Sequence, residues 1–183
     1  NEHQRTLRMR GRPKIVLART YEEALDLYNK YKNNILGIVS DARFPREGKI
    51  DPQAGIRFLT VVRSESPYIP LILQSAELSN REFAQNVHAQ FIDKNSKTMS
   101  RELRQAVSEH FGFGDFVFRN PKTKEEVARV HNLKDLQNAI FTIPADSLLY
   151  HISRNHMSRW LYSRAMFPIG EFLKPITWNS LQD

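Results

Sequence analysis

The sequence predicts an α/β protein, with a doubly wound parallel sheet followed by a smaller α+β module. Short apolar strands alternate with amphipathic helices over residues 1–112, and this order is typical of parallel sheets. The run Ile35–Val39 is apolar at nearly every position, which indicates a strand covered by helices on both faces. After Gly112 the alternation gives way to a hairpin pattern, so we place a domain boundary there, between domains 1–112 and 113–183.

The first predicted strand covers Arg12–Ala18, a short apolar run that begins beside a glycine and a proline. Thr20 and Glu23 form a capping box, because a hydroxyl at the N-cap and a carboxylate three residues later satisfy backbone amides reciprocally. An amphipathic helix follows, and the pair Asn33-Asn34 ends it before the second strand.

The same alternation predicts the remaining elements of the first domain. Residues 42–54 have the prolines and the glycine of a loop. The elements after that loop are a helix over about 54–63, a strand over 70–74, a helix capped by Ser79-Asn80 and ending at Val87, a strand over 89–92 and a helix over 99–111.

The second domain is predicted to contain a hairpin and helices. Two apolar runs flank the turn sequence Asn-Pro-Lys-Thr at 120–123, which indicates paired strands. The predicted strands cover 116–118 and 127–130, and the predicted helical segments cover roughly 133–141, 145–153 and 156–173.

The composition excludes several classes of protein. The chain has no cysteine, so it forms no disulfide and no thiolate metal site. No apolar run reaches the length of a membrane span and no secretory signal pattern is present, so we expect a cytoplasmic protein with no membrane contact. The net charge of +7 raises nucleic acid as a partner, but +4 of it lies within residues 1–14, which favours a solvated helix end.

Three polar residues follow the predicted strands: Asp41, Ser75 and Lys94. Ligands of open α/β sheets bind beyond the carboxyl ends of the strands, so these three side chains are expected at one rim. A carboxylate, a hydroxyl and an ammonium suit phosphoryl transfer onto the carboxylate, with Asp41 as nucleophile and the other two as partners of phosphoryl oxygens. Mg²⁺ would assist, since it prefers carboxylates, water and phosphate.

Each of the three residues also suits a structural role when it is taken alone. Asp41 is a possible turn former or helix cap, Ser75 a helix-start residue and Lys94 a surface charge. The joint pattern favours the functional interpretation, because three strand ends supply the groups independently.

Residues 12–112 resemble the receiver domain of bacterial two-component response regulators, which has a flavodoxin-like fold. The matching stretches are DARFP at 41–45, GIRFL at 55–59, IPLILQSA at 69–76 and FIDK at 91–94. The resemblance implies that Asp41 is the phosphoacceptor, that Ser75 and Phe91 are the switch residues and that Lys94 contacts the phosphoryl group. It also implies a Mg²⁺ site made by Asp41 and the backbone carbonyl of Arg43, and a sensor histidine kinase or another phosphodonor as partner.

The sequence departs from the receiver pattern in three ways. Asn95 stands where the family usually has proline, and residues 46–54 read as an extended loop beside the acceptor. The family's first strand, with the acidic pair that holds Mg²⁺, has no counterpart in these residues. Either an upstream segment supplies it or the domain is a degenerate receiver, and in both cases we expect this chain to phosphorylate poorly. We also expect another segment or a second chain, as in a homodimer, to fill the incomplete sheet.

Nearly the whole chain also resembles the regulatory region of multidomain bacterial proteins with a phosphoenolpyruvate synthase-like (pyruvate, phosphate dikinase-like) catalytic region. The matching stretches are NEHQRTLRMRGRPKI at 1–15, FVFRNPKTKEEVARV at 116–130 and SLLYHISRNHMSRWLYSRA at 147–165. This resemblance implies a module that regulates an attached catalytic region and that is not an enzyme itself.

Two other functions remain open at this stage. Arg154, Arg159 and Arg164 could form a basic face for a nucleic-acid-binding transcriptional regulator, although a solvated face is the favoured explanation. His151 and His156 could serve a metal site or a hydrolase, but no third ligand or nucleophile has suitable spacing, so core or interface histidines are favoured.

Overall fold

The computed structural model describes residues 14–174, and the protein is α/β with a small parallel sheet. The described residues divide into two compact units, Lys14–His110 and a second unit that starts at Phe111. None of the helices in this part of the chain is both long and apolar enough to cross a membrane. The two units are described separately below.

The first unit contains a three-stranded parallel sheet, four helices and a hairpin. Its strands are β1 (Ile38–Asp41), β2 (Phe44–Arg46), β3 (Lys49–Asp51), β4 (Leu71–Ser75) and β5 (Gln90–Asp93). Its helices are α1 (Tyr21–Tyr31), α2 (Ala54–Glu65), α3 (Asn80–Asn86) and α4 (Met99–His110). In the sheet, β4 lies between β1 and β5, and β2 pairs antiparallel with β3. The predicted alternation of parallel strands and helices is therefore confirmed.

One core cluster of the first unit lies on the face of the sheet under α1 and α2, and Ile72 and Ile92 are buried on the opposite face. Leu71 and Leu73 of β4 pack with apolar residues of both helices, including Tyr28 and Leu59. The Tyr28 hydroxyl keeps a polar partner, since it lies 2.8 Å from the hydroxyl of Ser66. Burial of these large side chains holds both helices on the sheet.

The start of α1 agrees with the predicted cap, with one difference. The Thr20 hydroxyl accepts a hydrogen bond from the amide of Glu23, as in a capping box. The Glu23 carboxylate, however, accepts from the amide of Arg19, not from that of Thr20. The Thr20 hydroxyl and the Glu23 carboxylate are thus both hydrogen-bonded to backbone amides. The amide that Glu23 binds belongs to the residue before the N-cap, and not to the N-cap residue as in the motif.

The predicted first strand is wrong in its described part, because Lys14–Ala18 forms no strand. Ile15 is 98% exposed, and Val16 and Leu17 are mostly exposed as well. A strand needs a hydrogen-bonding neighbour, and no strand of the described residues lies beside this segment. Residues 12 and 13 of the prediction lie outside the described residues.

Two further predictions in the first unit need correction. The apolar run at 35–39 becomes strand only from Ile38, and Val39 is 41% exposed because β1 is an edge strand of the sheet in the described residues. The predicted loop at 42–54 contains the β2–β3 hairpin. Glu47 and Gly48 both have positive φ there, which is the backbone of a type I′ turn, whereas Glu-Gly is not its usual sequence.

The second unit packs a hairpin against helices, as predicted. Its elements are β6 (Phe116–Arg119), β7 (Glu126–Val130), α5 (Leu133–Ile140), α6 (Ala145–Ile152), α7 (His156–Tyr162) and α8 (Phe167–Leu173). The strands are antiparallel. Phe118, Trp160 and Leu161 are fully buried in the core between hairpin and helices.

The single helix predicted over 156–173 is two helices. Ala165 adopts positive φ, and its amide donates to the carbonyl of Tyr162, which closes α7 with a left-handed turn. Pro168 then lies in the first turn of α8, where its missing amide costs nothing. Helical periodicity continues across this break, so the pattern of apolar residues alone does not reveal it.

Candidate functional site

The carboxyl ends of the three parallel strands bring the predicted site residues together. Asp41 ends β1, Ser75 ends β4 and Lys94 follows β5 directly. In the sheet register Asp41 pairs with Gln74, the residue before Ser75, and the Lys94 amide donates to the Ser75 carbonyl at 2.9 Å. Neighbouring parallel strands therefore deliver the three side chains to one rim of the sheet.

Asp41 and Lys94 form a direct ion pair. Lys94 Nζ lies 2.6 Å from Asp41 Oδ2, and each side chain is about two-fifths exposed. The other carboxylate oxygen, Oδ1, accepts a longer hydrogen bond of 3.4 Å from the amide of Arg43. Because the pair is open to water, it adds little to stability, but it fixes a cation beside an accessible carboxylate.

The backbone under Asp41 is held by two close contacts. The Ser40 hydroxyl donates to the Asp41 carbonyl at 2.9 Å, and the amide of Gly55 donates to the Ala42 carbonyl at 3.0 Å. A Cβ at position 55 would lie 1.8 Å from the Asp41 carbonyl oxygen, so only glycine allows α2 to start against this strand end.

Ser75 is buried and held by two donors. Its Oγ accepts hydrogen bonds from the Glu77 amide at 3.0 Å and from Asn80 Nδ2 at 2.9 Å. Asn80 is the first residue of α3 and is itself buried. Sequence reasoning treated Asn80 only as part of a helix cap, because its contact with Ser75 arises from the turn between β4 and α3.

The loop after β5 is tied to the loop after β4 by Asn95, which stands in place of the expected proline. Its amide donates to the Asp93 carboxylate at 2.8 Å, and its Nδ2 donates to the Ala76 carbonyl at 3.0 Å. These bonds hold the preceding residue, Lys94, at the rim without a proline.

Phe91, the other residue implied as a switch, packs against the core of the first unit and is only partly buried. The guanidinium of Arg81, from α3, lies 5.0 Å from the centre of its ring. Phe91 therefore faces the core side of β5.

The described residues fit a complete Mg²⁺ site poorly. No group of three histidine, aspartate or glutamate side chains within residues 14–174 could hold a metal ion. Asp41 is a lone carboxylate at the rim, and one of its oxygens already contacts Lys94. Magnesium needs further oxygen ligands, so no step below depends on it.

The second unit contains a hydrogen-bonded histidine pair. The amide of Arg119 donates to His151 Nε2 at 2.9 Å, which leaves His151 Nδ1 to carry the proton of the neutral ring. That proton points to His156 Nδ1, 2.9 Å away. Burial lowers the pKa of His151 to about 4, with help from the charges of Arg119, Arg154 and Lys124.

This arrangement favours a structural role for the histidines over a metal or hydrolase site. Both nitrogens of His151 are used inside the protein, and the ring lies edge-on to Phe116 and Phe118 in the core. The Nδ1 lone pair of His156 is directed at His151. Both nitrogens of His151 and the Nδ1 atom of His156 are therefore occupied and cannot bind a metal or a substrate.

Two of the three arginines in the predicted basic face, Arg159 and Arg164, are engaged within the second unit. Arg159 is buried, at 9% exposure. Arg164 donates to the carbonyls of Gly112 and Gly114 at 2.8 Å each, and its guanidinium lies 3.9 Å from the ring centre of Trp160. These arginines bind the protein's own backbone, so a helix face for reading DNA bases is not available from them.

Comparison with family models, curated proteins and solved structures found no match to this chain.

Proposed function

We propose that the chain is a signal-transduction receiver or pseudo-receiver module, which accepts a phosphoryl group on Asp41 when the full-length protein supplies the acidic pair upstream. The observation that carries this proposal is the 2.6 Å contact of Lys94 Nζ with Asp41 Oδ2 at the rim of a parallel sheet. An accessible carboxylate next to a fixed cation suits the transfer of a dianionic group, whose charge the cation offsets.

The reaction would proceed by in-line displacement at phosphorus. A carboxylate oxygen of Asp41 attacks the phosphorus of a small phosphodonor such as acetyl phosphate, and a new P–O bond forms. The bond from phosphorus to the acetate oxygen breaks, and acetate leaves with its electron pair. Lys94 shifts from the free carboxylate to an oxygen of the transferred group, so positive charge stays beside the reacting atoms.

The proposal includes a flavodoxin-like receiver fold for the first unit. The strand order β1-β4-β5, with helices between parallel strands, suits such a sheet with its first strand outside the described residues. Mg²⁺ would bind only with further oxygen ligands from outside residues 14–174, and Asp41 and the Arg43 carbonyl are the described groups that would contribute to its site. A sensor histidine kinase or another phosphodonor would be the upstream partner.

The module would regulate an attached phosphoenolpyruvate synthase-like catalytic region in the cytoplasm, without catalysis of its own. The edge position of β1 in the described sheet supports a second interaction. Ile38 and Ala42 donate their amides toward β4, so the alternating amides of Val39 and Asp41 face the other edge of β1. We propose that a strand from elsewhere in the protein, or from a second copy in a homodimer, pairs with this edge.

The test is phosphoryl uptake by the full-length protein. The protein is incubated with acetyl phosphate and Mg²⁺, and its intact mass is followed over time. We expect one added phosphoryl group in the parent and in Asp51→Asn, a control for a nearby carboxylate, and none in Asp41→Asn. Equal uptake by the parent and by Asp41→Asn would refute the proposal, and so would the absence of uptake in the parent.

A further inference from the structure

We propose that Asn80 is a positioning residue that holds Ser75 as a fixed hydrogen-bond donor to the phosphoryl group on Asp41. This inference rests on the proposed function and extends it to a residue of α3. It differs from the mobile switch that the receiver resemblance implies for Ser75, because no movement of the serine is needed.

The direction of each hydrogen bond at Ser75 follows from the donor groups and from the orientation of the Asn80 amide in the structure. The Glu77 amide and Asn80 Nδ2 can only donate, so Ser75 Oγ accepts twice, at 3.0 and 2.9 Å. Two accepted bonds use both lone pairs of the hydroxyl oxygen. The hydroxyl proton of Ser75 is then its only remaining hydrogen-bonding capacity, and Ser75 can use it only as a donor.

That proton is donated in no hydrogen bond among residues 14–174. All hydrogen bonds of Ser75 Oγ in this part of the chain are accepted ones. Ser75 is 4% exposed, so bulk water does not readily supply the missing acceptor. A buried donor without a partner is costly, and such donors occur where an acceptor arrives with a ligand.

The position of Ser75 indicates which acceptor would arrive. Its own carbonyl accepts from the Lys94 amide, and the residue before it is in register with Asp41. An oxygen of a phosphoryl group on Asp41 would therefore lie at the rim where Lys94 Nζ is already placed. The hydroxyl of Ser75 and the ammonium of Lys94 would contact different oxygens of that group.

The side chain of Asn80 allows a specific test. In Asn80→Asp, the group that faces Ser75 Oγ changes from a hydrogen-bond donor to an acceptor. An aspartate carboxylate cannot donate, so it would accept the Ser75 proton and remove it from the site. Asn80→Ala only removes one of the two donors and should have a smaller effect. Asn86→Asp, at the exposed end of the same helix, is the matched control for the added charge.

We expect Asn80→Asp to slow acetyl phosphate-dependent uptake at Asp41 about tenfold, as much as Ser75→Ala does, because each removes one charge-assisted hydrogen bond. The double variant should be no slower than Ser75→Ala alone. The ³¹P resonance of the aspartyl phosphate should shift equally in Asn80→Asp and Ser75→Ala, and not in Asn86→Asp. Circular dichroism confirms that each variant is folded.

The outcomes separate this inference from the proposed function. Uptake by the parent together with a parent-like rate and ³¹P resonance in Asn80→Asp overturns the role of Asn80 and leaves the role of Asp41 intact. A further loss of rate in the double variant also overturns it, since the two residues would then act independently. A parent that takes up no phosphoryl group overturns the proposed function and the donor role of Ser75 with it.

Discussion

Lys94 Nζ lies 2.6 Å from Asp41 Oδ2, although 52 residues separate the two in sequence. The contact exists because β1 and β5 flank β4 in parallel, and each ends at the same rim. Under the proposed function, an ammonium at this distance would offset the negative charge of a phosphoryl group that approaches Asp41.

Replacement of Lys94 tests the role of this charge. We expect Lys94→Ala to reduce the initial rate of phosphoryl uptake at Asp41 at least tenfold, since a charge-assisted hydrogen bond to the transferred group is lost. Lys97→Ala removes a charge from the following loop and should leave the rate unchanged. Rates come from intact-mass time courses with acetyl phosphate. Equal rates in the parent and in Lys94→Ala would show that the ion pair plays no part in transfer.

The contact between α2 and the end of β1 predicts a structural effect at Gly55. Gly55→Ala should lower the free energy of unfolding by about 3 kcal/mol, because its methyl group would overlap the Asp41 carbonyl oxygen. Urea denaturation followed by circular dichroism measures the change.

Gly48→Ala is the control for the loss of a glycine with positive φ. No atom lies within 4 Å of a Cβ there, so only backbone strain of about 1 kcal/mol is expected. Equal destabilisation by the two substitutions would contradict the close approach at Gly55.

The histidine pair predicts how the stability of the second unit depends on pH. The folded state lowers the pKa of His151 to about 4, below its usual value near 6.5 in an unfolded chain. The unfolded state then binds more protons in this interval, so stability is full above pH 6.5 and falls as the pH drops toward 4. We expect a loss on the order of 2 kcal/mol between pH 7.5 and pH 4.5.

Urea unfolding followed by tryptophan fluorescence measures this loss. Both tryptophans of the chain lie after residue 110, and Trp160 is in the core of the second unit, so the signal reports that unit. The expected pH dependence should shrink in His151→Asn, which has no titrating ring. A flat profile in the parent would mean that His151 does not remain neutral in the folded protein.

Arg164 is predicted to stabilise the second unit without binding nucleic acid. Arg164→Ala should lower the free energy of unfolding by about 2 kcal/mol, because two glycine carbonyls lose their donor and Trp160 loses its stacked guanidinium. Lys134→Ala, at an exposed position of α5, should change it little. Salt-sensitive binding of duplex DNA that Arg164→Ala abolishes without destabilisation would contradict this role.

The parts of the fold that depend on local pattern could be predicted from the sequence. Alternating strands and helices predicted β4, β5, α2 and α4 to within a few residues, since each carries its own periodicity and turn residues. The hairpin of β6 and β7 was predicted for the same reason, from the turn residues between two apolar runs.

The parts of the fold that depend on partners distant in sequence could not be predicted from the sequence. The segment Lys14–Ala18 has the composition of a strand, but pairing decides whether it becomes one. Arg164 has the sequence features of a surface charge, and only the folded chain reveals that it caps Gly112 and Gly114. At the site, strand-end reasoning predicted that Asp41 and Lys94 would meet, whereas the bond between Asn80 and Ser75 depends on how α3 is placed.

The most direct test of the central proposal identifies the modified atom. The full-length protein is treated with acetyl phosphate and Mg²⁺, reduced with borohydride and mapped by peptide mass spectrometry, since borohydride converts an aspartyl phosphate to homoserine. We predict homoserine at position 41 and unchanged aspartate at Asp51 and Asp93. An unreduced Asp41 in protein that has gained phosphate, or homoserine at another aspartate, would contradict the account.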